Sequence, residues 1–222
     1  VIVNRARLLQ LLQAGVWTES HRFARQAALS WLAAYPGDLE VMRWAAAIFT
    51  SEGKIAQARK ILEKILKVDP EDVESLSAYL VLISKDTSAY EITRIRMHAL
   101  GADPVEHAPA WAEALRDFRA AGEKTEQDKY LELKQLLIST PDEIILALEH
   151  IRMARLQQDT QTVVTLAQRY QRRWASSLLI GLALAAGQLL VGREAEAVNL
   201  LHRCASEDAG GQVAEKLWGK IN

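Results

Sequence analysis

The sequence predicts an all-α fold, a solenoid of antiparallel helix hairpins. Pro36, Pro70 and Pro104 stand 34 residues apart, and Pro141 follows 37 residues later. A fixed period near 34 residues is typical of stacked helical hairpins. Half of the 222 residues are hydrophobic, with many Ala and Leu residues, and this composition favours helices. A chain of this length can also bury a core of its own.

Prolines and turn glycines divide the chain into six predicted hairpins. The first turns at Gly15 and ends at Pro36. The second is the clearest, because Asp38 can cap its first helix and Gly53 separates this helix from a second one that ends before Pro70. We expect a single domain over residues 1–222, with hairpins at about 1–36, 37–70, 71–104, 105–141, 142–174 and 175–207.

The later hairpins follow the same rules less regularly. The fourth breaks at Gly122, and the fifth has Pro141 at its first helical position but no central glycine. The sixth recovers the pattern with a turn at Gly192. An amphipathic segment at about 211–221 is predicted to be a terminal helix that covers the apolar face of the last hairpin.

Small and large residues recur at fixed positions within the hairpins. The second hairpin reads Met42-x2-Ala45-Ala46-x2-Phe49, then Ala58-x3-Leu62, then Pro70. This pattern resembles the tetratricopeptide repeat, W-x2-L-G-x2-Y followed by A-x3-F and P, and the resemblance extends over about six units. It implies a right-handed superhelix in which the first helix of each hairpin lines a concave groove. It also implies a non-catalytic scaffold that binds a partner peptide or domain in that groove.

The repeat period aligns basic residues along the face that the resemblance assigns to the groove. Candidate partner-binding residues are Arg43, Trp44, Lys85, Arg116, Arg119, Arg152 and Arg155, of which the last five form what we call the basic ladder. Glutamates stand three residues before Arg116 and Arg152, so both arginines can form ion pairs within their own helices. Three interpretations stay open: a solvated surface neutralised by its own carboxylates, a ladder that docks an acidic peptide, or contacts with another part of a parent protein.

Residue patterns of catalysis and metal binding are missing from the sequence. The five histidines are scattered, and no phosphate-binding loop, nucleophile elbow or HExxH motif occurs. We therefore expect no enzyme, no cofactor and no metal site. The formal net charge of −1 argues against a nucleic acid as partner, including RNA bound by a pentatricopeptide-like array.

An uncharged stretch rich in Leu and Ala lies at 175–192, between Arg173 and Arg193. Its length would suit a membrane span, but its serines, glutamine and glycines and its register with the repeat argue against one. A helix that is apolar all round must be buried on every side. Neighbouring hairpins can cover only part of it. We expect burial within the monomer, with the terminal helix folded over the rest, and self-association through this region is the alternative.

Two further expectations concern the context of the chain. The single cysteine, Cys204, fits a reducing compartment and therefore a cytoplasmic location, with any targeting signal outside the given sequence. The chain begins at Val1, and we expect it to be a piece of a longer protein. The alternative functions are therefore an internal regulatory or sensor arm of a larger enzyme or transcription regulator, or a self-assembling structural module.

Overall fold

A computed structural model describes residues 4–120 and 143–207, together with 128, 131, 132, 135 and 136. The break predicted at Gly122 and the capping helix predicted at 211–221 lie outside the described residues. Within them are eleven helices: α1 (Arg5–Trp17), α2 (His21–Ala34), α3 (Leu39–Ser51), α4 (Ile55–Val68), α5 (Val73–Leu82), α6 (Ser88–Ala99), α7 (Ala110–Ala120), α8 (Ile144–Leu156), α9 (Thr160–Gln171), α10 (Leu178–Leu190) and α11 (Glu194–Glu207).

Each described helix packs against its neighbours along the chain. Contacts join consecutive helices from α1 through α7 and again from α8 through α11. The helices that open successive hairpins also meet, α1 with α3 and α8 with α10. This succession is that of a linear array of hairpins, and the predicted all-α solenoid is confirmed.

Local signals begin and end the hairpin helices. Asp38 accepts a hydrogen bond from the backbone N–H of Val41 at 3.3 Å where α3 begins, and Asp72 accepts one from Ser75 at 3.3 Å where α5 begins. Gly53 turns the second hairpin with a φ of +71°, in the left-handed region that favours glycine. The cap at Asp38 and the turn at Gly53 are therefore confirmed.

Gly15 has a different role from the predicted one, and its assignment as the turn of the first hairpin is wrong. It lies inside α1, which continues to Trp17, and the turn uses Glu19 at a φ of +57°. A Cβ atom at Gly15 would lie 2.6 Å from Cβ of Ala24 in α2. The glycine therefore allows α1 and α2 to approach each other closely.

The apolar α10 lies in the interior of the array. Ten of its 13 residues are buried, because α8, α9 and α11 pack against it. The predicted burial within the monomer is confirmed for α10, whose last two residues Leu189 and Leu190 are exposed, as is Val191 just after them. The part that the prediction gave to the terminal helix lies outside the described residues. None of the helices that the structure describes has the length and apolar character of a membrane span.

Candidate binding surface on the first helices

Six helices open the predicted hairpins, and we call α1, α3, α5, α7, α8 and α10 the first helices. Arg43 and Trp44 lie on α3, Arg116 and Arg119 on α7, and Arg152 and Arg155 on α8. Most of the predicted binding residues therefore lie on first helices, as expected. The structure also shows which groups of the chain these side chains bond.

Lys85 is the exception among the ladder residues. Helix α5 ends at Leu82 because Ile83 is extended, with φ −112° and ψ 151°. Lys85 therefore lies in the turn before α6 and is exposed. Its predicted equivalence to Arg119 on the first helix of the next hairpin is wrong, since α5 is too short to carry it.

Two arginines of the ladder converge on one buried carboxylate. Glu71, at the turn before α5, has a side chain that is only 7% exposed. Arg119 Nη2 donates to its Oε1 at 3.0 Å, and Arg152 Nη1 donates to the same oxygen at 2.9 Å. Both arginines also bond Glu149 on α8, Arg119 through Nη2 at 2.6 Å and Arg152 through Nη1 at 3.2 Å. We call these four residues the Glu71 network; it links the third, fourth and fifth hairpins.

The balance of forces in this network keeps Glu71 ionised. Burial acts to raise the pKa of Glu71, but hydrogen bonds and charge from Arg152 and Arg119 outweigh it, so that the pKa lies below its ordinary value. The same contacts raise the pKa of Arg152 against the opposing effect of its own burial. The two ladder arginines therefore serve as counter-ions of a buried carboxylate.

A related arrangement recurs between the earlier first helices. Arg5 on α1 donates through Nε to Oδ2 of Asp38, the cap of α3, at 2.8 Å, and also bonds Glu40. Arg43 on α3 donates through Nη1 to Oδ2 of Asp72, the cap of α5, at 2.5 Å. An arginine of one first helix thus reaches the capping aspartate of the next. These ion pairs tie consecutive hairpins together.

The Arg116 side chain is more exposed than those of Arg119 and Arg152. Its Nη2 lies 2.8 Å from Glu113 and 3.0 Å from Asp117, and its side chain is 37% exposed. The predicted ion pair with the glutamate three residues earlier is confirmed here, and so is the one between Glu149 and Arg152. Of the three interpretations of the ladder, self-neutralisation describes its contacts within the chain.

A cleft of about 410 Å³ opens on the first-helix face beside Trp44. Its lining consists of Glu40, Arg43, Trp44 and Ala47 of α3 and Glu74 of α5. Trp44 is half-buried and packs on the core shared by the first two hairpins, whereas the Glu74 side chain is 81% exposed. A fixed indole ring with charged groups of both signs around it can hold an apolar side chain and orient its neighbours.

Two buried carboxylate acceptors of this surface, Asp38 and Glu71, were not predicted as partners of arginines. Asp38 was assigned only as a helix cap, and Glu71 was not singled out. The sequence does carry a signal for the capping aspartates, because Asp38 and Asp72 stand 34 residues apart, each just before a first helix. No comparable signal marks Glu71. Among the residues that the structure describes, no group of three His, Cys, Asp or Glu side chains is placed to hold a metal ion.

The chain matches no family model and no curated protein sequence. Among solved structures it is similar to a tetratricopeptide repeat protein from Parabacteroides merdae, with 14% identity over 96% of this chain and 82% of that chain and a TM-score of 0.42. It is also similar to the flexible tandem repeat domain of a bacterial cellulose synthase component, with 21% identity over 97% and 98% of the two chains and a TM-score of 0.42. A thermophilic tetratricopeptide repeat protein of Thermus thermophilus is 13% identical over 97% of each chain, with a TM-score of 0.35. The residue pattern and the helix order of this chain together make its fold a tetratricopeptide-like array of helix hairpins.

Proposed function

We propose that the chain is a non-catalytic scaffold that holds a segment of a partner protein against its first helices, with the cleft beside Trp44 as the anchor point. The observation that supports this most is the cleft itself, which combines a half-buried indole, an exposed small residue and charges of both signs. Tryptophan and arginine are enriched among the residues that dominate binding energy at protein interfaces.

The anchor suits one apolar side chain of an extended segment. Trp44 is held from beneath by core packing, so that little conformational freedom is lost when a ligand stacks on it. Ala47 leaves room one turn further along α3, and it is exposed. Glu74, reaching out from α5, would then meet the residue that follows the anchor.

The charges around the cleft favour a partner different from the acidic peptide expected from the ladder. Of the two carboxylates that line the cleft, Glu40 is bonded to Arg5, whereas the Glu74 side chain is 81% exposed and supplies negative charge. Arg119 and Arg152 are already engaged by Glu71 and Glu149. We therefore propose a segment with an apolar anchor next to a basic or neutral residue, and we retain Arg116 as the ladder residue available for a carboxylate.

Affinity capture from native lysate tests the proposal with a matched pair of variants. Ala47→Tyr fills the cleft without touching the core, because Ala47 is exposed. Ala56→Tyr makes the same change on the exposed face of α4, away from the cleft. A partner retained by the wild type and Ala56→Tyr but lost from Ala47→Tyr would support the scaffold. The same partners on all three chains would contradict the placement of the anchor.

Two alternatives for the same surface remain proposals. An internal regulatory arm would fill the groove with another segment of a longer polypeptide, and capture would then yield no partner in trans. Most of α10 is buried, so self-association through 175–192 would have to use the exposed run from Leu189 to Val191. The cytoplasmic location likewise stays a prediction.

A further inference from the structure

A second, larger cleft lies where the second hairpin meets the sixth. Its volume is about 730 Å³. One wall is built from the turn at 34–37, the beginning of α3 and the end of α4, and the other from the residues just before α10 and the end of α11. The cleft is separate from the one beside Trp44, because the two share no lining residue.

The floor of this cleft is apolar. Leu39 and Met42 of α3 are nearly inaccessible to solvent, and Val68 at the end of α4 is half-buried beside them. Ala175 completes the apolar lining from the opposite wall. A half-enclosed space of this size lies within the range of about 300–1,000 Å³ that is common for small-molecule sites.

The rim of the cleft is positively charged. Lys64 and Lys67 lie three residues apart on α4, and Arg203 on α11 approaches from the other wall. None of the described residues that line the cleft is a carboxylate. The nearby Asp38 is already bonded to Arg5 and Trp31. Lys64 and Lys67 are exposed and place positive charge at the opening in a chain whose net charge is −1, and this charge favours an anionic ligand.

The lining also indicates what kind of anion would fit. Among the described lining residues, only Ser176 and Tyr35 offer uncharged polar side chains, and both are exposed. A nucleobase would leave most of its donors and acceptors unpaired against Leu39 and Met42, which is costly. An alkyl chain has no such groups, and its burial against the floor is favourable.

We propose that this cleft binds a linear amphiphilic carboxylate, with the alkyl chain on the floor of Leu39, Met42 and Val68 and the carboxylate at the rim of Lys64, Lys67 and Arg203. Such a ligand would contact the second and sixth hairpins together. It would therefore stabilise the folded chain, since a ligand that binds only the folded state raises stability by mass action. The site is independent of the proposed groove, and Ala47→Tyr should leave it intact.

Titration calorimetry of the full chain with decanoate tests the site, with decanol as the uncharged probe. We expect saturable decanoate binding, about tenfold weaker binding of decanol, and a rise in melting temperature with decanoate. Lys67→Glu should weaken decanoate binding at least about fivefold, whereas Lys60→Glu, an exposed residue of the same helix outside the cleft, should change it by less than about twofold.

A second variant tests the wall from the sixth hairpin. Ala175 is exposed and lines the cleft, so Ala175→Trp should occupy the alkyl site and abolish decanoate binding while the circular dichroism spectrum is unchanged. Three results would overturn the proposal: absence of saturable decanoate binding, equal affinity for decanoate and decanol, or equal losses in Lys67→Glu and Lys60→Glu. Tighter binding of adenosine monophosphate than of decanoate would overturn the choice of ligand class.

Discussion

Replacing Glu71 with glutamine should destabilise the chain by about 2–3 kcal/mol. Removing one partner of a buried ion pair costs about 3–5 kcal/mol, because the other charge is left without its counter-ion. Here the loss is smaller, since Arg119 and Arg152 keep Glu149 as a partner and Arg119 is partly exposed. For a chain of this length, the expected loss corresponds to a fall in melting temperature of about 4–12 °C.

Urea denaturation followed by far-UV circular dichroism measures this loss, and the chain offers a matched control. Glu74 also pairs with an arginine of a first helix, at 3.3 Å from Arg43 Nε, but its side chain is 81% exposed. Glu74→Gln should therefore cost less than about 1 kcal/mol. A loss in Glu71→Gln no larger than in Glu74→Gln would refute the idea that the Glu71 network holds the hairpins together.

Two further predictions concern pH and packing. The pKa of Glu71 lies below its ordinary value of 4.5, so its stabilisation is complete above that pH and is lost as the pH falls through the lowered value. The stabilities of the wild type and Glu71→Gln should therefore converge in urea titrations as the pH falls below 4.5, and a gap that widens there would contradict the assignment. Gly187→Ala would place a Cβ atom 2.6 Å from Cγ2 of Val164 and should cost about 1–3 kcal/mol in the same assay. Adding Val164→Ala should recover part of that loss, and strictly additive losses would exclude the clash.

The hairpin array was predictable because its signals are local. Asp38 and Gly53 act within a few residues of the backbone that they cap or turn, so sequence spacing alone was enough. Gly15 shows where prediction from local sequence spacing fails. A glycine in an amphipathic pattern looks like a turn, but here its role depends on Ala24 in the next helix, and only packing reveals it.

The charged surface was less predictable, since its pairs join distant parts of the chain. Arg152 was placed correctly on a first helix, yet its partner Glu71 lies 81 residues earlier, and a repeat alignment does not match the two. Lys85 was misplaced for a local reason, the extended backbone at Ile83 that shortens α5. The repeat period therefore indicated which arginines share a face. Local spacing indicated Glu113 and Glu149 as their partners, but neither signal indicated Glu71.

The central claim is that the partner is recognised beside Trp44 and not along the basic ladder. It is tested by measuring the affinity of the captured partner's binding segment for three chains. The chains are the wild type, Ala47→Tyr in the cleft, and Arg116→Glu at a ladder arginine outside the Glu71 network. We expect affinity to fall at least about tenfold in Ala47→Tyr and less than about threefold in Arg116→Glu. A large loss of affinity in Arg116→Glu with unchanged affinity in Ala47→Tyr would contradict this account and would indicate that the partner binds along the basic ladder.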